Sequence, residues 1–223
     1  MNYLAAGRSS RTSAALRINS PATPAGWQDL SALLDCAADP DFIVIPKAES
    51  AAVAALVKSV LHEAQKTAGV IVICESASAA ARVADLLDAR VMDAVMFGGA
   101  DMSADLGAAV SAEVTGHARS VLLMHAAAAA IPVIDAPFFY IADTDALREA
   151  VKHAVAEGFA GKAAIHPAQI PVINAAFTPD EDQIAWATKV INANKVGVGT
   201  VGGLMVDEAV ARRARRILHS THR

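Results

Sequence analysis

The sequence is short of the features that mark several protein classes. It carries only two cysteines in 223 residues, Cys36 and Cys74, at no metal-binding or redox spacing. A disulfide framework is therefore not expected, and both read as buried small hydrophobes in a reducing cytoplasm. There is no basic excess: the net charge is −4 and the pI near 5.9, so the electrostatic footprint of a nucleic-acid binder is missing. No basic amphipathic helix stands out as a membrane binder. The most apolar stretch, 120–142, is interrupted by His125, Pro132, Asp135 and Pro137, and reads as a buried helix followed by a buried strand, not a membrane span. Residues 1–11 are polar, so no secretory leader is expected. No repeat shorter than a strand–helix unit is visible.

What is present is apolar bulk. Hydrophobic residues make up 54% of the chain and the mean hydropathy is +0.37, enough for a sizeable core. Much of it is alanine, a strong helix former suited to close packing. Six short runs rich in Val and Ile read as strands: 14–18, 42–47, 70–75, 94–98, 132–136 and 162–166. They do not alternate, as expected of parallel strands covered on both faces. Helices are expected over 26–37, 50–67, 117–130 and 144–157, with shorter ones after His166. Thr178, Pro179 and Glu181 offer an N-cap, a proline at N1 and a capping-box glutamate. Residues 194–203 read as a glycine-rich linker, and 206–218 as a closing arginine-rich helix. The expected division is an α/β domain over 1–176 and a helical extension over 177–223.

Two acids organise the centre of the chain. Glu75 ends one apolar run, and Asp101 follows another through Gly98-Gly99-Ala100, 26 residues later. That spacing suits one strand–helix–strand unit, whose parallel strands end on the same side. Two such acids could share a hard cation such as Mg²⁺. On spacing alone the simpler reading is that Glu75 caps the next helix and Asp101 starts a turn.

No Gly-x-Gly-x-x-Gly follows the first strand, whereas polar residues follow nearly every strand. This favours a (β/α)₈ barrel of the TIM type over a doubly wound sheet. Strand ends offer Arg17, Asn19, Lys47, Glu49, Glu75, Asp101, Asp135 and His166. Arg17 could pair bidentately with a carboxylate, or make a rim salt bridge. Lys47 could be a Schiff-base nucleophile if desolvated, but an ion pair with Glu49 is the simpler reading. Asp135 suits a turn as well as chemistry, His166 a structural role, and Asp207 a helix cap. Arg212, Arg213, Arg215 and Arg216 suit a solvated face.

Several motifs carry a resemblance. Arg17-Ile18-Asn19-Ser20-Pro21, Ile45-Pro46-Lys47-Ala48-Glu49, Ile73-Cys74-Glu75-Ser76 and Phe97-Gly98-Gly99-Ala100-Asp101 occur in order. Gly158 to Pro167, with Gln169 and Ile170, and a closing Gly203-Leu204-Met205-Val206-Asp207 follow. Together they resemble the citrate lyase beta-subunit-like family of the HpcH/HpaI aldolase superfamily, over nearly all of 14–218. The resemblance implies a Mg²⁺-dependent carbon–carbon lyase on a TIM barrel, cleaving a citryl- or malyl-type thioester to a 2-keto acid and an acyl thioester. It implies a homotrimer; the cysteine usage points to the cytoplasm, and from charge and composition no nucleic-acid or membrane partner is expected. The acyl carrier is CoA or a protein-bound group.

By likeness, Glu75 and Asp101 match the metal ligands, and Arg17 the arginine that holds the keto acid and developing enolate. Asn19, Lys47, Gly99 and Ala100 match substrate-binding positions, and Asp207 matches the acid/base residue on a C-terminal lid. The family's first two strands, the second ending in two more acids, find no counterpart, so about six barrel strands are expected. Ala100 replaces a frequent Glu, and Gly202 an Asp. Alternatives are an aldolase acting on free hydroxy-keto acids and a catalytically impaired binding or scaffold homologue.

Overall fold

The computed structural model describes residues 12–37, 39–110, 112–195 and 199–220. The chain divides into two compact units. One comprises Met1–Phe139 with His153–Ile165, the other Tyr140–Lys152 with His166–Arg223. The second therefore gathers more of the chain than the 177–223 extension read from sequence.

The first unit contains one six-stranded sheet. Its strands are β1 (Ala15–Arg17), β2 (Phe42–Ile45), β3 (Gly69–Cys74), β4 (Ala94–Phe97), β5 (Val133–Asp135) and β6 (Gly161–Lys162). They pair in sequence order and all in parallel. This is the six-stranded TIM-type arrangement expected from sequence. Sequential parallel pairing with helical crossovers puts every strand's C-terminal end on the same side.

Both faces of the sheet are buried, which is why its strands do not alternate. Val44, Ile71, Ile73 and Ala94 cluster on one face with Phe42, Met96 and Ile134. The intervening Ile43, Ile45, Val70, Val72 and Val95 are as deeply buried. The crossovers begin with α1 (Pro24–Leu34) and α2 (Ala51–Glu63). Thr23 caps α1 by accepting from the Gly26 N–H at 3.2 Å, and Pro24 sits at its first turn. The expected single helix after β3 is two short ones, α3 (Ala77–Ala81) and α4 (Val83–Leu86). A helix not anticipated, α5 (Gly99–Asp105), follows β4, and α6 (Ala112–Ala128) precedes β5. α7 (Thr144–Glu157) has the expected bounds.

Strand β6 is shorter than the expected 162–166. After the Ala163 N–H donates to the Asp135 carbonyl at 2.9 Å, residues 164–168 are exposed.

The second unit carries α8 (Gln169–Phe177), α9 (Glu181–Lys195), β7 (Gly199–Val201), β8 (Leu204–Val206) and α10 (Glu208–Ser220). The cap of α9 is Asp180, not Thr178. The Gln183 N–H donates to Asp180 Oδ1 at 2.7 Å, and the Asp180 N–H donates to Gln183 Oε1 at 3.1 Å. This reciprocal box satisfies two backbone donors at once, which Thr178 and Glu181 do not. The described part of the expected 194–203 linker is also structured. Gly202 and Gly203, at φ 59° and 81°, turn β7 into antiparallel β8. Two successive left-handed residues make a tight hairpin turn, and glycine adopts that conformation without steric cost. Ala187, Val190, Val206 and Ala214 form this unit's core.

Candidate active site

The segments that follow β2, β3 and β4 assemble one cleft of about 390 Å³. It is lined by Lys47, Glu49, Glu75, Ser76, Asp101, Ala104 and Asp105. Glu75 follows β3 directly and is 5% exposed. It does not cap the next helix. Ser76 does so, its Oγ accepting from the Ala79 N–H at 3.1 Å. The Glu75 carboxylate is thereby free for another role. Its Oε1 accepts from the Lys47 N–H at 2.8 Å. No donor among the described residues engages Oε2.

Burial, first of all, raises the Glu75 pKa. The Lys47 N–H opposes that shift, the charge of Asp101 adds to it, and Arg17 and the Lys47 ammonium oppose it. The pair expected from spacing is therefore brought together, with Arg17 within electrostatic reach. Asp101 lies in the first turn of α5 rather than starting a turn, where the helix dipole favours its charge. Next to the pair, the Cys74 thiol is buried, and desolvation followed by the Glu75 charge pushes its pKa up to about 12. Cys74 is thus an inert packing residue, as expected; Cys36 is only partly buried.

Lys47 does not pair with Glu49. Its Nζ lies 3.8 Å from Asp101 Oδ1. Glu49 instead pairs with Arg82 at 3.3 Å and accepts from the Ser76 and Ser78 hydroxyls. Lys47 adopts φ 52°, a left-handed conformation costing a non-glycine residue roughly 1–2 kcal/mol. Such strain persists only where neighbouring contacts enforce it. The Glu49 anchorage across to α3 is such a contact.

Gly98 was missed as a functional position. A Cβ there would lie 2.3 Å from Glu75 Cβ and 2.8 Å from its Oε2. The glycine pair before Asp101 was the available signal for this close approach. Gly98→Ala is expected to push Glu75 aside and weaken divalent-metal binding about 10-fold or more, the scale of losing a supporting contact. Titration calorimetry with Mg²⁺ reads this directly; unchanged affinity would show that Glu75 tolerates the crowding. Gly99 makes a second close approach, since a Cβ added there would lie 3.3 Å from Ala136 Cβ.

Other predicted residues separate. Asn19 donates through its N–H and its Nδ2 to Asp29 Oδ2, at 2.7 and 2.8 Å, which ties it to α1. Asp135 serves neither a turn nor an open site. It is 1% exposed, bound by Arg119 and, at 2.6 Å, by Lys162. Arg119 also pairs with Glu157 and lies over the rings of Phe97 and Phe159. In the second unit, Asp207 caps α10, accepting from the Val210 N–H at 2.9 Å. There too, exposed His166 accepts from the Ala168 N–H at 3.2 Å. Of the arginine run, Arg213 stacks on Trp186 and Arg215 pairs with Glu208.

The sequence pattern of the HpcH/HpaI aldolase/citrate lyase family matches residues 1–167. The chain belongs to this family. A citrate lyase subunit beta-like protein of Mycobacterium tuberculosis is 34% identical over 212 residues, 91% of this chain and 74% of that protein. The L-malyl-CoA/beta-methylmalyl-CoA lyase of Rhodobacter capsulatus is 30% identical, with the same shares covered. The crystal structure of CitE from Mycobacterium tuberculosis, in complex with magnesium, acetoacetate and coenzyme A, matches at TM-score 0.78 and 32% identity. That match covers 94% of this chain and 78% of CitE. These relatives are carbon–carbon lyases by name, and CitE of Mycobacterium tuberculosis has been solved with magnesium bound.

The cleft fits that metal. It presents oxygen donors only, and one of them is a desolvated carboxylate whose ionisation a nearby cation would favour. Among the described residues, no three His, Cys, Asp or Glu side chains converge into a full cage. Mg²⁺ does not require one, since it takes one or two carboxylates and fills its remaining positions with water and substrate oxygens.

Proposed function

We propose that this chain is a Mg²⁺-dependent lyase cleaving a citryl- or malyl-type CoA thioester to a 2-keto acid and an acyl thioester. The observation that carries this reading is the buried Glu75 carboxylate facing Asp101 at adjoining strand ends. Cleavage of a citryl thioester removes the hydroxyl proton, turns the C–O bond into the ketone of oxaloacetate and breaks the adjacent C–C bond. The electron pair passes to a thioester enolate, which takes up a proton to become the acetyl thioester. Glu75 and Asp101 would hold the metal, which would supply Lewis-acid stabilisation of the developing negative charge. Arg17, held at the end of β1 on the same side of the sheet, provides a planar fork for the keto-acid carboxylate and the enolate. The buried β3 end keeps water away from the Glu75 carboxylate, which strengthens its interactions. Asp207 is assigned the proton transfers, on its match to the family's closing motif.

The same reading takes the protein to be a cytoplasmic homotrimer, which sedimentation and fractionation test. The decisive assay follows citryl-CoA cleavage with MgCl₂ and with EDTA. Activity is expected only with MgCl₂, and Asp207→Asn is expected to lower kcat about 100-fold or more, the usual scale of a positioned acid or base. Metal affinity should be unchanged in that variant. EDTA-resistant cleavage would defeat the metal assignment, and no cleavage in either buffer would favour a binding homologue.

A further inference from the structure

Lys47 touches both carboxylates of the pair, by two different means. Its backbone N–H donates to Glu75 Oε1 at 2.8 Å, while its ammonium stands 3.8 Å from Asp101 Oδ1. The first contact is rigid. It is made by a left-handed residue whose loop is pinned through Glu49 to Ser76, Ser78 and Arg82. The second is loose. At 3.8 Å it is longer than a charge-assisted hydrogen bond, and the two side chains are 67% and 52% exposed. The stem is anchored and the head is free to swing.

The cleft also has a charge problem. Four of its lining residues are carboxylates, Glu49, Glu75, Asp101 and Asp105, and Lys47 is the lining cation. A keto acid entering such a cleft brings a further negative charge. A divalent metal offsets Glu75 and Asp101 but leaves the newcomer beside Asp105 and the Glu49–Arg82 pair. Lys47, a compact charge on a flexible four-carbon stem, is placed to meet it.

We propose that Lys47 is a built-in counter-cation of the metal site: its ammonium neutralises Asp101 in the metal-free protein, and metal binding at Glu75 and Asp101 releases it to pair with the keto-acid carboxylate. This rests on the function proposed above. It makes metal and keto-acid binding cooperative through one side chain, in addition to any direct contact between the two ligands, and such coupling is reciprocal.

The test is titration calorimetry on wild type and Lys47→Met. Methionine keeps the backbone N–H, the unbranched stem and the same left-handed backbone demand. Two arms are read: Mg²⁺ into metal-free protein, and pyruvate into protein saturated with Mg²⁺. Lys47→Met should bind Mg²⁺ about twofold to fivefold more tightly, the range of an exposed ion pair. It should bind pyruvate about 10-fold more weakly, the scale of a lost charged hydrogen bond. Lys47→Arg should recover part of the pyruvate affinity. Lys47→Gln runs alongside, and thermal melts confirm folding, so one misfolded variant does not end the test. Unchanged or weaker Mg²⁺ binding overturns the proposal, as does unchanged pyruvate binding in the variant. Wild type that binds neither ligand would instead defeat the lyase reading itself.

Discussion

Glu75→Gln is expected to stabilise the metal-free protein and at the same time abolish its response to magnesium. The amide oxygen of the substituted side chain would still accept from the Lys47 N–H that now serves Glu75 Oε1, so the local geometry is kept. What disappears is a charge held in a buried position against Asp101. Glu75 has a folded-state pKa above its ordinary value of 4.5, chiefly through desolvation. The folded state therefore binds the proton more readily than the unfolded one. The stability from this group is fully present below the ordinary value and is lost as pH rises through the raised folded value.

Metal-free wild type should accordingly lose stability across that window, whereas Glu75→Gln should not. Magnesium reverses the sign, because it binds the ionised carboxylate. Its stabilising effect on wild type should grow as pH rises through the same window and be missing in the variant. Loss of the ligand should weaken Mg²⁺ binding by at least about 100-fold, the upper end of what losing a mere supporting contact costs. Melts in EDTA and in MgCl₂ over a pH series measure all of this. A variant less stable than wild type in EDTA at neutral pH, or one still stabilised by MgCl₂, would show that Glu75 is a structural carboxylate.

Asp135→Asn should be the most damaging single change to stability. Asp135 joins two buried cations, Arg119 and Lys162, whose side chains are 10% and 5% exposed. With Glu157 the cluster balances two positive against two negative charges. Removing Asp135 leaves Lys162 without its carboxylate and Arg119 with only the half-exposed Glu157. Breaking a buried pair from one side costs about 3–5 kcal/mol. In a chain of this size each kcal/mol lowers Tm by about 2–4 °C.

Lys162→Met should cost less, since Arg119 still balances Asp135. Lys162 also donates to the Ala136 carbonyl at 2.7 Å, and the Ala136 methyl lies against Gly99 at the start of α5. The cluster thus sits beneath the helix that carries Asp101, so weakened metal binding should accompany the lost stability. Denaturant titration measures the cost. A loss below about 1 kcal/mol, the scale of an exposed pair, would mean that water reaches the cations.

Much of this was legible without a fold. Short unalternating Val- and Ile-rich runs, spaced by helix-length segments, are local signals. They were enough for six parallel strands in order and for Glu75 and Asp101 at adjoining ends, because parallel crossovers leave little choice of side. The ordered motifs were enough for the family. Other features were decided only by contacts between distant residues. Either Glu75 or Ser76 could have capped α3, and the outcome depends on the Lys47 N–H arriving from a loop 28 residues earlier. Asp135 read as a turn or a catalytic residue because Arg119 and Lys162 lie 16 and 27 positions away. Lys47 looked paired with its chain neighbour Glu49, but the left-handed backbone at Lys47 and the reach of Arg82 assigned each a different partner. The sequence by itself determined which residues stand at the strand ends and what chemistry they could perform. The tertiary structure decided which of them lose water and which neighbours hold them, because burial and pairing of charge depend on distance in space.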